Sequence, residues 1–195
     1  YGREGLAEAL LQRGADVSLH TSKGTTALMG AAGNGHEKVV ELALQHGAET
    51  NRQCEFAPGN TALMLAAAYG REKVVDALIR HGAAIDQQNR AGDTALILAA
   101  FYDHPAALLC LLRAGAEVTL RTTDGKTALL YAKEKGHAKC VRALAEHAAA
   151  EKAAEKAAAE AAEAARIKQG AGKDSEAPLT RREQIALKGR IDSKH

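Results

Sequence analysis

The segment GTTALMGAAGNGHEKVVELALQHGAE (residues 24–49) decides the fold, because it returns three more times along the chain. The other copies are GNTALMLAAAYGREKVVDALIRHGAA (59–84), GDTALILAAFYDHPAALLCLLRAGAE (92–117) and GKTALLYAKEKGHAKCVRALAEHAAA (125–150). Their threonines, spaced 35, 33 and 33 residues apart, are Thr26, Thr61, Thr94 and Thr127. This spacing predicts a 33-residue repeat with two extra residues in the loop NRQCEFAPGN (51–60).

Each copy predicts two short helices joined by a turn. The threonine hydroxyl can cap the first helix, and the small residues of Ala-Leu-x-x-Ala-Ala let neighbouring helices approach closely. The second helix has apolar residues at helical spacing, such as Val39, Val40 and Leu44. It stops at a glycine suited to a left-handed conformation, namely Gly47, Gly82 or Gly115. Such helices are too short to be stable alone, which is typical of a solenoid.

This pattern resembles the ankyrin repeat. The resemblance rests on Thr-x-Leu, the Ala-Ala pair, Gly-His and the closing Gly-Ala-x-Val, as at residues 14–17 and 115–118. It implies an all-α solenoid of helix-turn-helix units with β-hairpin or loop connections, which binds protein partners on its concave face and hairpin tips. The family's Thr-Pro-Leu-His is replaced by Thr-Ala-Leu and an apolar residue. We therefore expect the stack to depend more than usual on apolar packing.

The sequence predicts three regions. An ankyrin domain (1–148) comprises a truncated first unit and repeats at about 21–51, 56–86, 89–119 and 122–148. The truncated unit aligns Tyr1-Gly2-Arg3-Glu4 with Tyr69-Gly70-Arg71-Glu72, so we expect the natural protein to extend upstream. An Ala-rich helical extension (149–169) follows, because Ala148 replaces the stopping glycine and residues 148–165 include 12 alanines. A flexible basic tail (170–195) has a possible short helix at 181–188 that either orders on a partner or stays solvated.

Composition argues against several classes of protein. Residues 1–148 have 16 Lys/Arg and 16 Asp/Glu, which is unlike a nucleic-acid-binding surface; only the tail is basic. The three cysteines and eight histidines lack metal-ligand spacing, and no catalytic motif occurs. We expect no enzyme activity, no cofactor, no metal and no membrane insertion. We also expect a reducing, cytoplasmic location, in which association with the cytoskeleton is one possibility.

The six aromatic residues identify a candidate binding surface. Tyr69, Phe101 and Tyr102 close the first helix of their units, and Tyr1 aligns with them; Phe56 lies in the inserted loop. The resemblance places these positions on the family's binding surface, where aromatic anchors are favoured, with their rings outside the inter-repeat core. Tyr131 is better explained by packing. The predicted partner-binding set is completed by Arg52, Arg90, Lys126 and Lys135. The alternative is that aromatic residues simply accumulate where helices end.

Three functions remain open at this point. The favoured one is a non-catalytic scaffold, as a structural subunit of a multiprotein or cytoskeletal assembly, whose Ala-rich helix and basic tail make a second contact. The second is the C-terminal regulatory region of a larger enzyme or channel. The third, RNA binding through the tail, is disfavoured by the neutral repeats.

Overall fold

The computed structural model describes residues 3–55 and 58–171. Helices in these ranges are α1 (Arg3–Gln12), α2 (Ala27–Asn34), α3 (Glu37–Gln45), α4 (Ala62–Ala68), α5 (Glu72–Arg80), α6 (Ala95–Phe101), α7 (Pro105–Arg113), α8 (Ala128–Lys135) and α9 (Ala138–Ala171). None of them combines the length and apolar character that a membrane-spanning helix needs. The all-α prediction is confirmed. The antiparallel bridge between His20 and Thr26 is the only strand pairing in the described ranges.

The helices of the repeats form two rows. The inner row is α2, α4, α6 and α8, each packed on the next, and the outer row begins α1, α3, α5 and α7. Each inner helix from α2 to α6 also packs on the outer helix that follows it. Helix α1 packs on α3 as an outer helix does, in agreement with its alignment to the second helix of a unit.

Threonine caps begin every inner helix, as predicted. The side-chain oxygens of Thr26, Thr61, Thr94 and Thr127 accept hydrogen bonds from the amide three residues later, at 3.2 to 3.3 Å. The glycines that end the outer helices α3, α5 and α7 have the left-handed conformation expected of them, with φ between 79° and 85°. The sequence therefore sets both ends of the repeating unit locally.

The core lies between the two rows. Leu28, Leu63 and Leu96 are each 1% exposed, and the alanine pairs after them are buried against neighbouring inner helices. Met29, Met64 and Ile97 occupy one repeat position and are at most 2% exposed. Leu130, their equivalent, is 40% exposed because α8 is the last inner helix in the described ranges. Burial of the other three thus depends on the following repeat.

Polar contacts also join successive repeats. The Gln53 amide donates to the Gln88 carbonyl, and the Gln88 amide donates to the Arg121 carbonyl, each at 2.8 Å. Backbone amides of the following repeat donate to the side chains of Asn51 and Asp86, at 2.7 and 2.9 Å. The repeat interfaces therefore retain hydrogen bonds although the family's histidine is missing.

Helix α9 continues through Ala148, as the loss of the stopping glycine predicted. It runs to Ala171, two residues beyond the predicted end of the extension. Residues 150–166 are exposed, and the predicted pair between Lys156 and Glu160 forms with an N–O distance of 3.8 Å. The chain divides into two compact units at residue 149, and the possible helix at 181–188 lies outside the described residues.

Candidate protein-binding face

Three positions of each repeat share one side of the inner helix and its C-terminal end. They stand four, seven and eight residues after the capping threonine, which is one face of a helix. We call this surface the inner face; it consists of Gly30, Gly33, Asn34, Leu65, Ala68, Tyr69, Leu98, Phe101, Tyr102, Tyr131, Glu134 and Lys135. Leu98 is buried and Leu65 and Tyr131 pack against the core, whereas Tyr69, Tyr102 and Lys135 are exposed and available to a partner.

A pocket of about 520 Å³ opens on the inner face between α4 and α6. Its apolar lining comes from Leu65, Ala68 and Leu98, together with the rings of Tyr69 and Tyr102. The remaining lining residues are Pro58, Asn60, Asp93 and His104. Tyr69 and Tyr102 are 58% and 54% exposed, which is unusual for side chains of this size. The pocket thus combines apolar walls with a few polar groups, as sites for a partner side chain do.

Close backbone approaches position two walls of this pocket. A Cβ added to Gly33 would lie 3.5 Å from Cδ2 of Tyr69, so the tyrosine ring lies directly against α2. The imidazole of His104 approaches Gly70 so closely that a Cβ there would be 2.5 Å from Nδ1. Glycine at these two positions therefore lets a ring from the next repeat come close enough to form part of the pocket wall.

An aromatic row extends from the pocket to the last inner helix. The Phe101 ring lies edge-to-face with Tyr102 and Tyr131, at centroid distances of 4.9 and 5.2 Å. Lys135 Nζ lies 4.1 Å from the Phe101 centroid, and Lys126 Nζ lies 5.1 Å from the Tyr131 centroid. The row joins two repeats and carries positive charge on its surface.

The structure modifies one expectation about this row. Phe101 is half-buried and contacts Tyr131 of the following repeat, so its ring is not outside the inter-repeat contacts as predicted. The reason is that α6 and α8 pack side by side, which brings the seventh position of one helix against the fourth of the other. Tyr131 packs against the core, as predicted.

The predicted arginines hold the hairpin tips together. The Arg52 guanidinium contacts His20 at 3.3 Å and pairs with Glu49 and Glu55 at 3.6 and 4.0 Å. Arg90 donates from its guanidinium to the Glu55 carbonyl at 2.8 Å. These groups already serve contacts within the chain. Tyr1 and Phe56, also predicted for partner binding, lie outside the described residues.

The repeats match the model of a known protein family. The family model described as ankyrin repeats (3 copies) matches residues 1–89, 52–122 and 96–168. The chain belongs to the ankyrin repeat family. Ankyrin repeats are generally protein–protein interaction modules. None of the curated proteins compared with the chain matches it.

Several pocket residues of this ankyrin repeat protein were missed by the sequence analysis. Leu65, Leu98, Asp93 and His104 line the pocket, but they are not Phe, Tyr, Lys or Arg, the residue types on which the predicted binding surface was based. The signal that could have found Leu65 and Leu98 is repeat register, since the equivalent residues are Gly30 and Tyr131. Within this chain, repeat positions whose residue type differs between copies therefore indicate part of the pocket lining.

The pKa shifts of Lys126 and Cys140 arise from burial and from contacts within the ankyrin domain. A hydrogen bond with Glu134 raises the pKa of Lys126 above its usual range. Burial, aided by the nearby Asp103 carboxylate, raises the pKa of the Cys140 thiol to about 12, so this thiol stays neutral at physiological pH. Within residues 3–55 and 58–171, no group of three or more His, Cys, Asp or Glu side chains is arranged to hold a metal ion.

Proposed function

We propose that this protein is a non-catalytic scaffold that binds a protein partner through its inner face. The observation that carries the proposal is the pocket between Tyr69 and Tyr102, whose two tyrosine rings stay more than half exposed beside an apolar floor. Tyrosine combines a large contact area with little loss of side-chain entropy on binding, so it is a favoured anchor at interfaces. The contact would extend along the aromatic row to Lys126 and Lys135.

More specifically, we propose that the protein is a structural subunit of a multiprotein or cytoskeletal assembly in the cytoplasm. Support comes from α9, whose residues 150–166 are exposed and carry no large apolar side chain. Such a helix cannot bury a core of its own, and it provides a second surface, with the basic tail, for the same assembly. Cys54, Cys110 and Cys140 form no disulfide with one another, which suits a reducing compartment.

Site-specific crosslinking tests the proposal. A photoreactive phenylalanine analogue is placed at Tyr102 and, as a matched control, at Leu109, an exposed large apolar residue on the outer helix α7. We expect a protein from cell extract to be captured from position 102 and not from position 109. The captured protein is then purified as the ligand for affinity measurements.

Affinity measurements with that partner complete the test. We expect Tyr69→Ala and Tyr102→Ala each to weaken binding by about 1 to 3 kcal/mol with the thermal midpoint unchanged, because both rings are exposed. Phe101→Ala is a poorer test, since its half-buried ring also contributes to stability. Wild-type affinity of the double tyrosine variant would rule out the inner face and make α9 the leading surface.

A further inference from the structure

The chemistry of the inner face changes along the stack. Helix α2 presents Gly30, Gly33 and Asn34, which offer little side chain to a ligand. Helices α4 and α6 present apolar and aromatic residues around the pocket. Helix α8 presents Tyr131, Glu134 and Lys135. A partner segment that crosses the inner helices in order would therefore meet an apolar site and then a charged one.

Lys135 is the charged group best placed for a ligand. Its ammonium lies over the Phe101 ring, and among the described residues it forms no ion pair, whereas the nearby Lys126 pairs with Glu134. A ring face attracts a cation without neutralising it, so a carboxylate could still bind the outer side of this ammonium. Phe101 contacts both Lys135 and Tyr102, which links this charge directly to the wall of the pocket.

The charge distribution favours an acidic ligand at this end of the stack. Residues 126–136, which contain α8, have three Lys and one Glu, whereas the equivalent residues 59–70 and 92–103, which contain α4 and α6, have no Lys or Arg and two Asp. The carboxylate of Asp93 lines the pocket beside the hairpin tips and accepts a hydrogen bond from Asn89 at 3.2 Å. It disfavours an acidic group there, so a ligand carboxylate is directed toward Lys135.

We propose that the inner face binds an extended acidic peptide segment of the partner. One bulky apolar side chain fills the pocket between Tyr69 and Tyr102, and an aspartate or glutamate pairs with Lys135. Packed helices are about 8 to 10 Å apart, so the pocket between α4 and α6 lies about one and a half helix spacings, or about 12 to 15 Å, from α8. An extended chain advances about 3.3 Å per residue, so the two groups are about three to five residues apart. This inference rests on the proposed function and adds the chemistry of the ligand.

Selection from a peptide library tests the inference. The probe is a phage-displayed library of random twelve-residue peptides, selected on the immobilised full chain. We expect the enriched peptides to share a bulky apolar residue and an Asp or Glu at the stated spacing. Synthetic copies of these peptides serve for affinity measurements.

Substitutions then locate the two contacts. We expect Lys135→Gln and Tyr102→Ala each to weaken binding by on the order of tenfold or more. The control Lys133→Gln, two positions earlier on α8 and thus on another side of that helix, should leave the affinity unchanged. In a charge exchange, Lys135→Glu should bind the same peptide with its acidic residue replaced by lysine better than it binds the original.

Each other outcome has a distinct meaning. Enriched peptides that are basic or neutral but lose binding with Tyr102→Ala would overturn the acidic ligand and leave the proposed function intact. Enriched peptides that bind Tyr69→Ala and Tyr102→Ala as well as wild type would overturn both. A selection that enriches no peptide would overturn the linear acidic segment as the ligand.

Discussion

At the scale of single residues, the turns after the inner helices differ in which residue adopts the left-handed conformation. Gly35, Gly70 and Gly136 all have positive φ, and Asp103, with φ of 58°, occupies the same place after α6. The Cys140 thiol donates to Asp103 Oδ1 at 3.5 Å. A contact from the following repeat therefore helps to hold a non-glycine residue in a conformation that costs about 1 to 2 kcal/mol.

Gly70→Ala should be more destabilising than Gly136→Ala. Both substitutions place a Cβ on a left-handed residue, with φ of 65° and 75°, which costs about 1 to 2 kcal/mol. At Gly70 the new atom would also meet the His104 ring, whereas at Gly136 nothing lies within 4 Å. We expect a further loss of about 1 kcal/mol or more from the clash, measured by denaturant unfolding.

A double-mutant cycle checks the cause. His104→Ala should remove most of the extra cost of Gly70→Ala, because the clashing ring is gone. Equal losses for the two glycine variants in the wild-type background would contradict the contact between Gly70 and His104.

Cys140 should make stability depend on alkaline pH. Its pKa is raised from 9.0 to about 12 by burial first, and then by Asp103. In the unfolded chain the thiol ionises above pH 9, while in the folded protein it stays protonated. The contribution of this thiol to the unfolding free energy is therefore fully present below pH 9 and is lost as pH rises through the interval from 9 to 12.

The measurement is the difference between wild type and Cys140→Ala. On going from pH 8 to pH 10, the unfolding free energy of wild type should fall by about 1 kcal/mol more than that of the variant. Other alkaline groups titrate in both proteins and cancel in this comparison. Parallel curves would show that the thiol ionises equally easily in both states.

At the scale of elements, repeat register allowed the caps, the stopping glycines and the continuation of α9 to be predicted, because each depends on residues adjacent in sequence. The burial of Phe101 and the engagement of Arg52 and Arg90 could not be predicted in this way. The decisive partners are distant in sequence, namely Tyr131 for Phe101, His20 for Arg52 and Glu55 for Arg90, although Arg52 also pairs with Glu49 and Glu55 nearby. The pocket was missed for the same reason, since its lining comes from two helices and two connecting loops.

Breaking α9 at the end of the last repeat should be possible with glycine. Ala148→Gly and Ala149→Gly should each cost about 1 kcal/mol of helix stability, because neither residue is buried. We expect faster amide hydrogen exchange at residues 146–152 in the double variant.

The control is Ala158→Gly, which places the same change inside the exposed part of α9. It should speed exchange around residue 158 and leave residues 140–147 unaffected. Unchanged exchange at the junction in the double variant would mean that tertiary packing, rather than helix propensity, determines order there.

At the scale of the whole molecule, every buried apolar residue in the described ranges lies between Leu28 and Leu144. The stack therefore contains its own core, and the extension beyond residue 149 adds exposed helix. In a solenoid, stability is approximately a sum of repeat terms and nearest-neighbour interface terms. The binding surface is thus built on the part of the chain that also supplies the stability.

A chain shortened to residues 1–149 should melt at nearly the same temperature as the full chain. The contacts that define the core are all retained, whereas the far-ultraviolet circular dichroism signal should fall because the Ala-rich helix is gone. Val75→Ala serves as the internal standard, since Val75 is 0% exposed and its truncation should cost about 2 to 3 kcal/mol. That cost should be the same in the full and shortened chains, because the substituted core is the same in both. A large drop in the midpoint on shortening would show instead that residues after 149 stabilise the repeats, and α9 would then be unsuited to an independent second contact.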